Sequence, residues 1–112
     1  MNIRDRSILS KITEYVSEVL SYTQHMDLTV FSMDRKTINA TAFVLGQIGE
    51  LAKQISEETR NANPYVHWRG IQGLRNRIIH DYENIDMKML WEVIYNDLPE
   101  LRKQIHELLE QP

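Results

Sequence analysis

Apolar residues recur every three or four positions through most of this chain, which is the spacing that places side chains on one face of an α-helix. The pattern predicts four helices, at about residues 3–25, 35–58, 70–82 and 87–110. In chain order, their apolar stripes consist of Ile8, Ile12, Tyr15, Val19, Tyr22 and Met26; Ile38, Thr41, Leu45, Ile48, Ala52 and Ile55; Ile71, Leu74 and Ile78; and Leu90, Ile94, Leu98, Leu101, Ile105 and Leu108. The predicted fold is an all-α, antiparallel four-helix bundle with one shorter helix, and strands are not expected.

Several residues between and within these helices interrupt the helical pattern. Residues 27–33 are predicted to be a connection, because the apolar spacing fails there. Residues 61–64 end the second helix, since Pro64 has no N–H to donate. Pro99 lies inside the fourth stripe, and the unbroken stripe favours a kinked helix over a new one capped by Asp97.

Two glycines in the second predicted helix need a physical reason. Gly46 and Gly49 each cost up to about 1 kcal/mol relative to alanine in a helix interior. A cost of that size indicates a packing or functional reason, such as close approach of another helix. Glu50 follows within reach of the apolar stripe, and we expect it to pair with an arginine, although a half-exposed carboxylate is the alternative.

Composition is that of one globular domain spanning residues 1–112, with 42% apolar and 26% charged residues. The absence of cysteine excludes disulfides and thiolate metal sites. The four histidines have no metal-ligand spacing, so neither a metal nor a cofactor is expected. The N-terminus does not resemble a signal peptide, and no apolar stretch approaches the roughly 20 residues of a membrane span. We therefore expect no membrane association and a cytoplasmic location.

Charge is distributed unevenly, although the net charge is only −3. Residues 60–80 contain Arg60, Arg69, Arg75 and Arg77 and none of the 16 acidic residues of the chain. A cationic segment in an acidic body suggests a single site for an anionic ligand. Pairing of these arginines with acidic residues of neighbouring helices is the alternative, and charge alone does not decide between the two.

The most polar part of that segment is RNRIIHDY, residues 75–82. On a continuous helix, at about 100° per residue, Asn76 and His80 share one face and Arg75 and Tyr82 share another. From the residues alone, this is either a solvated helix face with one histidine in the core or a functional site.

A family resemblance bears on that choice. The pattern Arg75-Asn76-x3-His80-x-Tyr82 resembles the RxxxxHxY motif of HepT-like toxins, in the wider HEPN family of helical ribonucleases. Three further segments resemble the family in the correct order: Ile48-Gly49-Glu50-Leu51-Ala52, Trp68-Arg69-Gly70-Ile71-x-Gly73-Leu74 and Asp97-Leu98-Pro99-x-Leu101. The similarity extends from about residue 4 to residue 109.

The resemblance implies a metal-independent endoribonuclease that acts on RNA without a cofactor. Arg75 and His80 would be catalytic, with His80 transferring protons and Arg75 stabilising charge on the phosphate. Asn76, Arg77 and Arg69 would bind substrate. Because each chain has one such histidine, we expect a homodimer in which two motifs line one composite cleft.

The resemblance also implies a partner, a minimal nucleotidyltransferase (MNT) antitoxin that would neutralise the toxin by nucleotidylation (AMPylation) of Tyr82. Two alternatives stay open. The chain could be a non-catalytic nucleotide-binding or scaffold module, or it could be the antidote or substrate of a toxic nucleotidyltransferase. The sequence does not identify the RNA substrate or decide whether Glu50 and Trp68 touch the site.

Overall fold

The computed structural model describes residues 1–81 and 84–111, with their side chains except those of residues 79–81. The helices are α1 (Ile3–Tyr22), α2 (Leu28–Met33), α3 (Arg35–Lys53), α4 (Glu57–Ala62), α5 (Trp68–Gln72), α6 (Leu74–Ile78), α7 (Met87–Glu92) and α8 (Leu98–Glu110). A π-helical segment, Val93–Asp97, joins α7 to α8, and two short antiparallel strands, β1 (Ile79–Asp81) and β2 (Asn84–Ile85), follow α6. The predicted all-α helical bundle is confirmed.

The long helix α1 packs along both α3 and α8, and α3 packs against α5 and α6 on its other side. The apolar stripes predicted for the second, third and fourth helices are all buried. On α1, Leu9 and Val16 are fully buried, whereas Tyr15 and Tyr22 are only half-buried. The stripe predicted for this helix was therefore too narrow, because contact with two helices buries a wider face. No helix among the described residues has the length and apolarity to cross a bilayer.

The segment predicted to be a connection forms helix α2. Asp27 caps it, because its side-chain oxygen accepts a hydrogen bond from the Val30 N–H. Phe31 is fully buried and its ring lies 5.2 Å, centroid to centroid, from that of Trp91. The prediction was wrong because only one residue of this six-residue helix faces the core, so that no repeating stripe marks it.

The second predicted helix is divided into α3 and α4. The Ser56 side-chain oxygen accepts a hydrogen bond from the Thr59 N–H at 3.2 Å and starts the new helix. Asp5, in the first turn of α1, receives hydrogen bonds from the Ser56 N–H at 3.1 Å and from the Thr59 hydroxyl at 2.6 Å. The predicted continuous helix to residue 58 is therefore wrong, because a serine cap held by a distant carboxylate ends the first helix early.

Asp5 is the one acidic side chain of the described residues that is buried, with 1% exposure. Burial raises the pKa of this carboxyl, but hydrogen bonds from Ser56, Thr59 and Asn2 outweigh burial and hold the pKa below its usual value of 3.8. The carboxylate therefore stays charged inside the protein, and the Asp5 junction (Asp5, Ser56 and Thr59) links α1 to α4.

The third predicted helix is two short helices that meet at Gly73, and it ends at Ile78 rather than at residue 82. The Ile78 carbonyl accepts a hydrogen bond from the Asp86 N–H at 2.8 Å, which closes the two-stranded hairpin onto α6. The expectations of a helix to residue 82 and of no strands are therefore wrong. Two consecutive isoleucines, at 78 and 79, are β-branched and favour extended backbone where the helix ends.

The fourth predicted helix has a continuous helical backbone. The Leu98 N–H donates to the Val93 carbonyl five residues earlier, a π turn directly before Pro99. This wider turn accommodates a residue that has no N–H to donate. The Asp97 side chain does not cap α8, and the backbone stays helical through the π turn, so this segment forms one continuous helix rather than two separate ones.

Gly49 allows α5 to approach α3 closely. A Cβ atom at this position would lie 3.1 Å from the Ile71 carbonyl oxygen and 3.2 Å from that of Gln72. The predicted close helix contact is therefore confirmed at Gly49.

Candidate active site

Helix α6 presents the first three residues of RNRIIHDY on the protein surface. Leu74 and Ile78 are buried and fix the helix to the core, whereas Arg75, Asn76 and Arg77 between them are exposed. Because the helix is short and anchored at both ends, the backbone positions of these three polar residues are fixed.

Arg75 projects toward α3. Its Cδ atom lies 3.8 Å from the place where a Cβ atom would stand on Gly46. The arginine lines an open groove of about 450 Å³, here called the Arg75 groove, whose other lining residues are Asn39, Ala42, Phe43, Gly46, Gln47, Glu50 and Ile85. Among the described residues, the Arg75 guanidinium has no ion-pair partner within 4 Å.

Glu50 lies in the Arg75 groove but does not pair with an arginine. Its carboxylate is exposed and lies 3.0 Å from the Lys53 ammonium group. The preferred sequence prediction was therefore wrong, because the three-residue spacing on one exposed helix face brings the lysine closer. An exposed pair of this kind contributes little to stability.

Arg77 projects from the opposite side of α6. Its Nη2 atom lies 3.6 Å from the Asp97 carboxylate and 3.5 Å from the Met89 sulfur. It lines a second groove, of about 540 Å³, here called the π groove, together with Tyr65, His67, Gly70, Ile71, Leu74, Val93, Asn96, Asp97, Leu98, Glu100, Leu101 and Gln104. The two arginines therefore differ: within the described part of the chain, Arg77 is paired with a carboxylate and Arg75 is not.

The alternative that the arginines pair with neighbouring helices holds in part. Arg77 makes such a pair with Asp97, whereas the Arg60 guanidinium donates to a backbone carbonyl, that of Ile55, at 3.0 Å. Arg69 is exposed on α5, and no ion pair of Arg69 or Arg75 is present in the described part of the chain. Those two cations remain available for an anionic ligand.

Trp68 holds the start of α5 in place. It is buried, and its indole N–H donates to the Asn63 carbonyl at 3.0 Å. This bond joins the start of α5 to the end of α4 and thereby positions the helix that carries Arg69.

The second half of RNRIIHDY is only partly described. The backbone of His80 lies in β1, but its side chain and all of Tyr82 lie outside the described residues. Asn76 and His80 do not share a helix face as predicted, because α6 ends at Ile78. Sequence reasoning also missed Asp97 as a partner of Arg77, since a π turn changes the side-chain directions that a regular helix predicts.

Comparison with known proteins shows where this chain belongs. A family model described as "Ribonuclease HepT-like" matches residues 12–108. The chain belongs to the HepT-like ribonuclease family. It is 32% identical over 94% of its length to "Putative RNase MJ0127" and to "Putative RNase MJ1380", both from Methanocaldococcus jannaschii, covering 87% and 97% of those proteins. It is 28% identical over 92% of its length to "Probable ribonuclease HepT" of Thermococcus cleftensis, covering 94% of that protein.

A search of solved structures finds no match of comparable significance. The relatives' names refer to RNase activity, and the matches extend over nearly the whole of this HepT-like chain. Family membership and these names together support a ribonuclease. Among the described residues, no group of three or more histidine, aspartate or glutamate side chains is placed to hold a metal ion.

Proposed function

We propose that this HepT-like chain is a metal-independent endoribonuclease and the toxin of a toxin–antitoxin pair. The observation that carries the proposal is Arg75, whose exposed guanidinium has no carboxylate partner among the described residues and extends from a helix anchored in the core. His80 follows five residues later, at the spacing of the family motif.

RNA provides its own nucleophile for this reaction, so the protein has to supply a base, an acid and a cation. The ribose 2′-hydroxyl loses its proton to the base and attacks the adjacent phosphorus. The bond from phosphorus to the 5′-oxygen breaks, and that oxygen takes a proton from the acid. The products are a 2′,3′-cyclic phosphate and a 5′-hydroxyl.

The motif contains side chains suited to each task. Histidine exchanges protons near neutral pH, so we assign proton transfer to His80. Arg75 binds the phosphate, whose negative charge increases as the fifth bond forms. Asn76 orients the histidine or the ribose phosphate, and Arg69 and Arg77 contact the rest of the substrate.

A homodimer would provide a second histidine, so that one acts as base and the other as acid. Phe43 supports this arrangement, because it borders the Arg75 groove and its side chain is 65% exposed. Exposed aromatic rings of this kind are enriched in protein interfaces. Phe43→Glu should therefore separate the subunits and abolish cleavage. A monomer with full activity, measured by light scattering and RNA digestion, would contradict the dimeric site.

Regulation is proposed to come from a minimal nucleotidyltransferase antitoxin that transfers a nucleotide to the Tyr82 hydroxyl. The added phosphate would bring negative charge and bulk to the motif, where RNA phosphate has to bind. Mass spectrometry of the chain co-expressed with such a partner should show the added nucleotide on wild type and none on Tyr82→Phe. Modification at another residue would exclude this assignment.

The nuclease itself is tested with purified, unmodified protein and total RNA in excess EDTA. Wild type should leave cyclic or 2′/3′-phosphate ends, and His80→Ala should not cleave. His106→Ala, which removes an exposed histidine of α8, is the matched control and should cleave as wild type does. Absence of cleavage by a folded wild-type dimer would favour a non-catalytic binding module.

A further inference from the structure

The geometry points to the π groove as a binding site for one purine base of single-stranded RNA. This inference rests on the proposed ribonuclease function, and it assigns a role to a surface on the far side of α6 from Arg75. A base pocket would explain how a small chain without a recognisable RNA-reading module holds its substrate.

The floor of the π groove is apolar. Ile71, Leu74, Leu98 and Leu101 line it, and all four are at least nine-tenths buried. The volume of about 540 Å³ lies in the range of small-molecule sites, roughly 300–1,000 Å³. A flat aromatic base covers such a floor better than a ribose or a phosphate does.

Two side-chain amides lie at the margin of this floor. Asn96 belongs to the π segment, and Gln104 lies on the second turn of α8. Neither amide has a hydrogen-bond partner within the described part of the protein. In single-stranded RNA both edges of a base are open, and an asparagine or glutamine amide can donate to one atom of such an edge and accept from the next. The two amides therefore provide hydrogen bonds for a base, and the apolar floor favours a purine because its two rings cover more apolar surface.

The charges of the π groove disfavour phosphate relative to a neutral base. Arg77 is its one arginine, and the Asp97 carboxylate 3.6 Å away offsets that charge. Glu100 adds a further negative charge at the edge. The groove therefore accepts the neutral base of a nucleotide and repels its anionic phosphate. Arg75, which has no such partner among the described residues, is the complementary site for phosphate.

Two ring side chains border the opening of the groove. Tyr65 is 51% exposed, so one face of its ring is open for stacking with a base. The His67 ring lies against Gly70, where a Cβ atom would be only 2.7 Å from the histidine Cδ2 atom. Gly70 therefore permits the ring position that narrows this opening.

Helix α6 connects the two grooves, because Arg75 and Arg77 leave opposite sides of the same short helix. A single strand that crosses this helix could place a phosphate on Arg75 and a neighbouring base in the π groove. Stacking and hydrogen bonding of one base would then fix which phosphate is presented for cleavage.

The experiment is a titration of ¹⁵N-labelled wild-type protein with adenosine, uridine and AMP, followed by NMR. Adenosine should produce saturable shifts at Ile71 and Leu101, and uridine should bind more weakly. AMP should bind no better than adenosine, because the groove repels its phosphate. Asn96→Ala combined with Gln104→Leu should lower the affinity for adenosine about tenfold. Asn61→Ala, which removes an exposed amide of α4, is the matched control and should leave the affinity unchanged.

Absence of saturable shifts in the π groove would overturn the inference, as would adenosine binding that the double variant does not weaken. AMP binding much tighter than adenosine binding would also overturn it, because phosphate would then be the preferred group. The titration is independent of RNA cleavage. Adenosine binding by a protein that does not cleave RNA would refute the proposed nuclease but support the base site. Cleavage without adenosine binding would support the nuclease and refute the base site.

Discussion

The Asp5 junction and the Arg75 groove use charge in opposite ways. Asp5 is buried, and hydroxyl and amide groups from a distant part of the chain satisfy its carboxylate. Arg75 is exposed and has no ion-pair partner among the described residues. A charge that holds the fold is surrounded by fixed partners, whereas a charge available to a ligand is left without them. Stability and activity should therefore respond separately to substitutions in these two regions.

The largest effect should come from removing the free cation. Arg75→Ala should lower the rate of RNA cleavage about 100-fold or more, because the transition-state phosphate loses its charge stabilisation. Its melting temperature should stay near that of wild type, since an exposed side chain without a fixed partner is removed. Arg77→Ala should lower the rate much less, because Asp97 already offsets its charge.

Cleavage rates with a defined RNA oligonucleotide and melting curves for both variants provide the measurement. Arg75→Lys adds a further control, since it keeps the charge but loses the planar fork and should restore the rate only in part. Equal losses of rate in Arg75→Ala and Arg77→Ala would remove the distinction between the free and the paired arginine.

Removing the buried carboxylate should reduce stability instead. Asp5→Ala should lower the free energy of unfolding by about 3 kcal/mol, because the Ser56 and Thr59 donors lose a charged acceptor inside the protein. Cleavage per folded molecule should stay near wild type. Urea unfolding gives the free energy, and Asp5→Asn, which keeps the shape of the side chain, should lose less. A change below about 0.5 kcal/mol in Asp5→Ala would show that the junction does not hold α1 to α4.

Gly46 and Gly49 lie three residues apart in α3 and differ in how closely other residues approach them. Substituting them should change stability by less than substituting Asp5 does. Gly49→Ala places a methyl group about 3 Å from α5 carbonyl oxygens, so we expect a loss of about 1–2 kcal/mol. Gly46→Ala makes only an ordinary contact with the Arg75 side chain and should stabilise the helix by up to about 1 kcal/mol. Thermal unfolding of the two variants tests this difference, and a stabilised Gly49→Ala protein would show that α5 can move away.

The smallest effect should be in the acid dependence of stability. Because the pKa of Asp5 in the folded protein is lowered from 3.8, its contribution is complete above that value and is lost as the pH falls through the folded pKa. Wild-type stability should therefore decrease below about pH 4, and Asp5→Asn should decrease less. Some decrease should persist, since the pKa of Asp34 is also lowered by its hydrogen bonds with Thr37. Urea unfolding between pH 3 and 7 provides the comparison, and identical slopes would contradict the role of Asp5.

Apolar spacing by itself determined the fold class and three of the four core stripes. These features follow from local periodicity, which is visible in any stretch long enough to contain several turns. The motif of Arg75, His80 and Tyr82, together with three further segments in the correct order, also led to the family from residue identity alone. That the family is one of ribonucleases therefore did not depend on knowing where any side chain points.

Tertiary structure decided the features that depend on distant partners. Ser56 starts α4 at the point where Asp5, from another part of the chain, binds it, and Arg77 has a carboxylate partner because the π segment ends at Asp97 beside it. The hairpin after Ile78 likewise forms where the chain returns to pair with itself. The periodicity of apolar residues predicts which face of a segment packs against the core. Helix ends, ion pairs and the difference between Arg75 and Arg77 depend instead on which distant residues the folded chain brings together.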